Sequence, residues 1–158
     1  MRVGEAKGLR DFGGYAFNSL RMEKAYRAYN HEFAEEFDAI DAGMDRFVDL
    51  SRDFIGVDAI KKNRQDPDRL QLAYLVFDDD IPCEVFGNES VFHNDDHVGI
   101  ATGGAFGHRV GKSLAFAYVA PKFATQGTIL KVETTLGIRT AHVEDDCVYD
   151  PSNERMRA

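Results

Sequence analysis

The second half of the chain constrains the fold most, because short apolar runs alternate there with clusters of Gly, Asn and Asp. From Leu70 onward these clusters recur roughly every ten to twelve residues, and the runs between them are rich in β-branched and aromatic residues. Such a pattern is typical of strands, and no helical pattern interrupts it. The predicted strands cover residues 70–77, 89–93, 97–102, 113–119, 128–135 and 138–143. Five to seven antiparallel strands favour a small barrel or sandwich over a doubly wound sheet.

Two turns in this half predict hairpins. Residues 94–96 (Asn-Asp-Asp) have the length and residue types of a loop between antiparallel strands, and Leu136-Gly137 gives a second signal of this kind. The run from Leu70 to Phe77 becomes almost wholly apolar toward its end. We therefore expect the centre of this strand to be buried on both faces.

Residues 1–66 have a different pattern, with Glu, Arg and aromatic residues at helical spacing. A helix capped by Asn18 or Ser19 is predicted, because apolar residues recur at i, i+4, i+7 and i+11. Those residues are Met22, Tyr26, Tyr29 and Phe33. A second, short helix is predicted over residues 58–63, before a proline. The chain is thus predicted to be α+β, with a helical segment over residues 1–66 and a β-rich unit over residues 67–158.

The charge balance limits the possible partners. Of the 158 residues, 19 are Lys or Arg and 27 are Asp or Glu, which gives a formal net charge of −8. This charge repels phosphate backbones and anionic membranes, so we expect no nucleic acid and no membrane as partner. No window approaches the roughly 20 apolar residues of a membrane-spanning helix. With Cys83 and Cys147 as the only cysteines, we expect reduced thiols and a cytoplasmic protein.

Two motifs that look like ligand sites are interpreted as turns. Residues 103–113 end in Gly-Lys-Ser, but Phe106 stands where a phosphate-binding loop needs glycine, and a strand follows Ser113. His93 and His97 flank two aspartates, but a hairpin does not give them the shared face that a helical His-x-x-x-His pair offers to zinc. We predict a glycine-rich strand connection, a solvated turn and no metal site.

No catalytic residue is expected in this chain. Neither cysteine has an adjacent His, there is no Gly-x-Ser-x-Gly motif, and acidic residues 144–146 raise the pKa of the Cys147 thiol. Glu23 has two interpretations. With Arg27 at i+4 it forms a surface ion pair worth a few tenths of a kcal/mol. Beside Met22 its carboxylate is partly enclosed, and so suited to accept paired N–H donors from a flat heterocycle.

Segments spread along residues 8–158 share ordered motifs with one protein family. They are residues 8–24, which contain Ser-Leu-Arg-Met-Glu-Lys, then 41–48, 53–56 (Asp-Phe-Ile-Gly), 107–115, 118–121 and 149–157. Several unrelated motifs in the right order are far more specific than any single one. Together they resemble the glycine cleavage T-protein family, especially the tetrahydrofolate-dependent C-terminal part of dimethylglycine and sarcosine dehydrogenases.

The resemblance implies the end of a folate-binding domain over residues 1–66 and a C-terminal antiparallel β-barrel over residues 67–158. It also implies that Glu23 recognises the pterin ring of tetrahydrofolate and that Arg52, beside the Asp-Phe-Ile-Gly segment, contributes to the folate site. A carboxylate and a guanidinium suit those roles. The family's catalytic Asp has no counterpart in this sequence. FAD belongs only to the part of a dehydrogenase parent that this chain lacks.

Two functions follow as expectations. The first is the C-terminal part of an aminomethyltransferase or dimethylglycine/sarcosine dehydrogenase-like protein, which transfers a one-carbon unit to tetrahydrofolate and is inactive as this chain alone. In a eukaryote its location would be the mitochondrial matrix. The second is a stand-alone, non-catalytic barrel module in subunit interaction, with its apolar surface covered by self-association or by the missing N-terminal half.

Overall fold

The computed structural model describes residues 2–145 and 147–158. The helices are α1 (Arg2–Glu5), α2 (Gly14–Glu23), α3 (Val57–Asn63) and α4 (Glu154–Arg157), with short 3-10 turns at Asp45–Phe47 and Pro121–Phe123. The strands are β1 (Gln71–Phe77), β2 (Ser90–His93), β3 (Asp96–Gly107), β4 (Lys112–Val119), β5 (Ile129–Thr134) and β6 (Gly137–Glu144). The predicted α+β class, a helical N-terminal segment followed by a small antiparallel barrel, is confirmed.

The six strands form one closed barrel in the order β1-β4-β3-β2-β5-β6, and β6 pairs back with β1. This last pairing runs from Tyr74 opposite Glu144 to Phe77 opposite Ala141, and it distinguishes a barrel from a sandwich. Most neighbouring strands pair along much of their length. β2 and β5 pair only at Val91 with Val132 and at Phe92 with Lys131.

Strands β1 and β4 are buried on both faces, as predicted for β1. Alternate side chains along β1 belong to different apolar clusters, because successive residues of a strand point to opposite faces. Ala73, Leu75 and Phe77 pack in the barrel interior. The intervening Leu72, Tyr74 and Val76 pack in an outer cluster that includes Met22 and Ala25. The N-terminal segment therefore covers the outside of the β1–β4 part of the barrel.

The long helix predicted from Asn18 or Ser19 through Phe33 is wrong. Helix α2 begins at Gly14, after the N-cap residue Gly13, and it ends at Glu23. The chain leaves the helical conformation at Ala25, whose φ is +50°. Tertiary contacts stabilise this end, because Lys24 Nζ donates to the carbonyls of Tyr149 and Asp150 and to Asn153 Oδ1. Tyr26, Tyr29 and Phe33 lie beyond the helix.

Asn18 and Ser19 lie inside α2 and do not cap it. Their side chains donate to the carbonyls of Gly104 and Phe106 on β3, which fixes the helix against the barrel. The short helix predicted over residues 58–63 is confirmed as α3. The two predicted hairpins are also confirmed, and β3 extends beyond the predicted strand to Gly107, past an irregularity between Ala101 and Gly103.

Candidate functional site

Glu23 lies at the last position of α2 and is only 2% exposed. Its Oε1 accepts hydrogen bonds from the backbone N–H groups of Arg109 and Val110, in the turn between β3 and β4. The enclosure expected from the sequence is therefore present. Because α2 ends at Glu23, the i+4 geometry for an ion pair with Arg27 is not formed, and Arg27 donates to the carbonyls of Ala25 and Ala42.

Arg52, the second residue predicted to contact folate, is exposed in the loop before α3. Neither Glu23 nor Arg52 lines any of the described cavities. The described part of the chain does not bring the two side chains into one pocket. Their roles in folate binding stay predictions.

A buried ion pair that the sequence analysis missed lies beneath α2. Arg21 Nη1 and Glu32 Oε2 are 2.9 Å apart, and the two side chains are 5% and 0% exposed. The remaining acceptor capacity of Glu32 is filled by the Ala28 N–H and by the Thr102 hydroxyl. Such pairs need every partner satisfied, because removal from water is costly. The pattern offered one signal, the Arg of Leu-Arg-Met-Glu, but its partner lies eleven residues later, beyond the helix.

Two cavities flank this ion pair on the outside of the barrel. One, of about 420 Å³, is lined by α2, by residues 84–86 and by Gly103 and Gly104. We call it the aromatic groove, because Tyr15, Phe17, Tyr29 and Phe86 line it. The other, of about 610 Å³, lies along β3 and is lined in part by the stacked rings of Phe37 and Tyr118. His31 and Phe86 line both cavities, so the two adjoin.

A third cavity, of about 630 Å³, has charged side chains of both signs in its wall. Lys24, Arg27 and Arg46 line it together with Asp45 and Glu144. Lys24 already donates to three acceptors around Asn153. The charges of this cavity are thus partly used in holding the chain together.

The two motifs interpreted as turns are only partly turns. Residues 103–107 of the glycine-rich segment belong to β3, and residues 108–111 form the turn to β4. His93 ends β2 and His97 lies in β3. Ser113 is in β4, and Lys112 Nζ donates to the Asp78 carbonyl and pairs with the Asp80 carboxylate at 2.6 Å. His93 Nδ1 lies 3.2 Å from the Ile129 carbonyl oxygen. His97 packs edge-on against Phe92. Among residues 2–145 and 147–158, no three metal-ligating side chains form a cluster.

Both cysteines are buried, and Cys147 Sγ donates to the Tyr149 carbonyl. Asp146, one of the acidic residues expected to raise the pKa of the Cys147 thiol, lies outside the described residues. Over the described ranges, no helix is long and apolar enough to span a bilayer.

A closed six-stranded barrel covered by a short helical segment defines the class of this protein, and comparison with known proteins identifies the family. The model of the glycine cleavage T-protein C-terminal barrel domain matches residues 71–150, and that of the GCVT N-terminal domain matches residues 1–52. The chain belongs to the glycine cleavage T-protein family. The resemblance inferred from the sequence motifs is confirmed.

Curated relatives include two kinds of oxidising enzyme. Mouse dimethylglycine dehydrogenase is 39% identical over 136 residues, which cover 84% of this chain and 15% of that protein. The formaldehyde-forming 4-methylaminobutanoate oxidase of Paenarthrobacter nicotinovorans is 31% identical over 158 residues, 98% of this chain and 19% of the oxidase.

An aminomethyltransferase also matches. That of Desulforamulus reducens is 29% identical over 134 residues, 84% of this chain and 36% of the enzyme. The fold is shared with the aminomethyltransferase T crystal structure from Bartonella henselae, with a TM-score of 0.75, 20% identity, and coverage of 86% of this chain and 38% of that one. The chain thus corresponds to a minor part of each relative's length.

Proposed function

We propose that this chain acts as the C-terminal part of a tetrahydrofolate-dependent aminomethyltransferase or dimethylglycine/sarcosine dehydrogenase-like protein and helps to bind folate. The observation that supports this most is the order of the two family matches, an N-terminal-domain segment over residues 1–52 and then the C-terminal barrel over residues 71–150. In such a protein the chemistry is a one-carbon transfer to tetrahydrofolate, in which positioning and exclusion of water do most of the work. This chain would supply part of the folate site and no catalytic residue.

The two side chains assigned to folate fit a pterin in kind, because the Glu23 carboxylate can accept N–H donors and the Arg52 guanidinium can donate to a carbonyl. Glu23 itself has one oxygen occupied by two backbone N–H groups. A pterin that used Glu23 would therefore bind through the other oxygen or displace the turn at Arg109 and Val110. Arg52 is exposed, so its guanidinium can donate hydrogen bonds to a carbonyl or carboxylate of the folate.

Calorimetric titration with tetrahydrofolate tests the proposal. The wild type is expected to bind, Glu23→Gln and Arg52→Ala are expected to bind more weakly, and Glu133→Gln, on the exposed face of β5, serves as the control. Failure of the wild type to bind contradicts folate binding by this chain. Wild-type affinity in Glu23→Gln removes Glu23 from the site. The isolated chain is expected to form no methylenetetrahydrofolate, so measurable formation contradicts its role as a non-catalytic part.

A second candidate function is a stand-alone barrel module in subunit interaction, and the orientation of α2 favours it. The helix buries Met22 together with three polar or charged residues, and it exposes Tyr15, Phe17 and Leu20. Exposed apolar surface of this kind marks an interaction site.

Light scattering after size exclusion tests self-association through this face. The wild type is expected to be a dimer or larger and Phe17→Asp a monomer. Ile138→Asp, at an equally exposed apolar position on β6, is the matched control. A monomeric wild type at high concentration contradicts self-association.

A further inference from the structure

Residues 78–85 follow β1 and cross one end of the barrel, and we call them the crossing segment. At its far end, the Val85 carbonyl accepts a backbone N–H of β3 at 2.8 Å. In its middle, the Ile81 carbonyl accepts hydrogen bonds from Arg139 Nη2 of β6 and from Ser113 Oγ of β4. Strands β6 and β4 pair with β1 on its two sides. The crossing segment therefore covers the barrel interior at the end of β1.

A side chain of β6, Arg139, anchors the crossing segment. It lies two residues before Ala141 on the strand, so it points with Ala141 to the barrel interior, and only 7% of it is exposed. Its guanidinium lies over the ring of Phe77, 5.1 Å from the centroid, and donates to the Asp79 carboxylate through Nε and Nη2. One buried cation thus holds two residues of the crossing segment and covers the Phe77 ring.

The three aspartates that begin the crossing segment each contact a basic side chain of a neighbouring strand. The pairs are Asp78 with His142 of β6, Asp79 with Arg139 of β6, and Asp80 with Lys112 of β4. The three carboxylates are 42% to 82% exposed, so solvent and salt reach them. Contacts between exposed charges are individually weak and are screened by salt. This part of the crossing segment is therefore held by contacts that depend on ionic strength.

Lys112 and Ser113 of the glycine-rich segment add further contacts to the crossing segment. Lys112 Nζ donates to the Asp78 carbonyl. Ser113 is fully buried, and its hydroxyl accepts the Cys83 N–H as well as donating to the Ile81 carbonyl. The Gly-Lys-Ser motif thus holds the barrel end closed.

The closed position leaves one buried donor without an acceptor. Arg139 Nη1 is buried and has no hydrogen-bond partner among the residues that the structure describes. Burial also lowers the pKa of this guanidinium, because it disfavours the charged form. A buried unpaired donor costs free energy that hydration recovers. Attraction by the carboxylates and desolvation of Arg139 oppose each other, so weaker ion pairs shift the balance toward opening.

We propose that the crossing segment opens as a local unit, that Arg139 is its anchor, and that ionic strength sets how often it opens. High salt favours the open form, because it screens the exposed carboxylates. Opening uncovers the Phe77 ring at the barrel end and the thiol of Cys83, which is 3% exposed when the segment is closed. The six strands stay paired during this motion, because the crossing segment lies outside them.

Thiol labelling tests the proposal, because the chain has two buried cysteines and only one lies in the crossing segment. Cys147 packs in the outer cluster and is the internal reference. Iodoacetamide labelling with peptide mass spectrometry gives a rate for each thiol, which follows the population of the open form when reclosing is fast. Arg139→Met is expected to raise the Cys83 rate at least about tenfold, and Asp80→Asn about threefold. Neither variant is expected to change the Cys147 rate.

The matched control is Asp95→Asn, which removes another exposed ion pair. Asp95 lies 3.8 Å from Lys131 Nζ and outside the crossing segment, so the Cys83 rate is expected to stay at its wild-type value. Raising NaCl from about 0.05 to about 1 M is expected to increase the Cys83 rate about threefold in the wild type. The increase is expected to be smaller in Asp80→Asn, because that variant already lacks one screened pair.

Three results contradict the proposal. Equal acceleration of Cys83 and Cys147 in Asp80→Asn shows unfolding of the whole chain in place of local opening. A wild-type Cys83 rate in folded Arg139→Met removes Arg139 as the anchor. If Arg139→Met does not fold, Asp80→Asn and the salt series decide, and a Cys83 rate that responds to neither contradicts local opening.

Discussion

The carboxylate of Glu23 joins two segments that are 86 residues apart in the sequence, the end of α2 and the turn before β4. Its burial leaves no water to replace the acceptor if the carboxylate is removed. Gly107 allows this approach, because a Cβ there would lie 2.9 Å from Glu23 Cγ. Glu23 is thus a structural contact whatever its part in folate binding.

Replacing Glu23 with Ala is expected to lower the free energy of unfolding by about 2 kcal/mol, since two backbone N–H groups lose the charged acceptor that they share. Glu23→Gln keeps an acceptor oxygen and is expected to cost about 1 kcal/mol. Urea unfolding followed by circular dichroism measures both. Glu133→Ala, at an exposed site, is the control and is expected to change stability by less than about 0.5 kcal/mol. A Glu23→Ala variant as stable as that control contradicts the role described.

For single residues, the sequence predicted burial better than it predicted hydrogen-bond partners. The enclosure of Glu23 followed from its position beside Met22, which is fully buried. Its bonds to Arg109 and Val110 could not be predicted, because they depend on how a distant turn packs on the helix end. The partner of Arg21 was missed for the same reason, since Glu32 reaches it only after the chain turns at Ala25.

Strands β1 and β4 are tied to the N-terminal segment by two buried tyrosine hydroxyls. Tyr74 donates to the Met22 carbonyl at 2.8 Å, and Tyr118 donates to the Glu32 carbonyl at 2.7 Å. Burial raises the pKa of both phenols well above its ordinary value, and nearby negative charges add to the effect. Both side chains are therefore protonated in the folded protein.

Alkaline pH is expected to destabilise the fold through these two phenols. Because their pKa is higher in the folded than in the unfolded chain, their contribution to stability is complete below the ordinary phenol pKa near 10 and is lost as pH rises above it. Tyrosinate absorbance is expected to show that Tyr74 and Tyr118 ionise only as the fold opens. Tyr74→Phe is expected to cost about 1 kcal/mol at neutral pH and to reduce the alkaline loss. Free titration of every tyrosine in the folded chain contradicts this.

Secondary structure was predictable where side-chain periodicity dominates and not where tertiary contacts set the ends. The period-two pattern and the turn residues located all six strands, because each strand buries one or both faces in a regular way. Helix α2 was displaced, because Gly13 and Gly14 are weak start signals and contacts of Lys24 with Tyr149 and Asp150 stop the helix.

The division of the chain at residues 66 and 67 remains a prediction, and the packing gives it a test. The outer cluster joins Met22 and Ala25 to Tyr74, Phe116 and other barrel residues. Outside this shared cluster, the described N-terminal segment buries only a few apolar residues, among them Ile40 and Ala42. We infer that the two parts are coupled in folding.

Differential scanning calorimetry is expected to show one transition for the whole chain, with a calorimetric enthalpy equal to the van't Hoff enthalpy. Met22→Ala removes a fully buried side chain from the shared cluster and is expected to lower this single transition, at a cost of about 2–5 kcal/mol. Two separate transitions, with only one of them shifted in Met22→Ala, contradict the coupling.

The closed barrel itself was predicted only through the family resemblance, since the strand pattern alone fits a sandwich equally well.

The number of paired residues differs between neighbouring strands of the barrel, and the pairing of β2 with β5 is short. Two residue pairs close the barrel at this point, whereas β3 and β4 are paired at eight positions. Local opening of the barrel is easiest where the fewest backbone hydrogen bonds must break. We therefore expect solvent to reach the interior at Val91 and Val132 through the β2–β5 pairing. The other strand pairings can stay intact while β2 and β5 separate, and the face covered by the N-terminal segment is then unchanged.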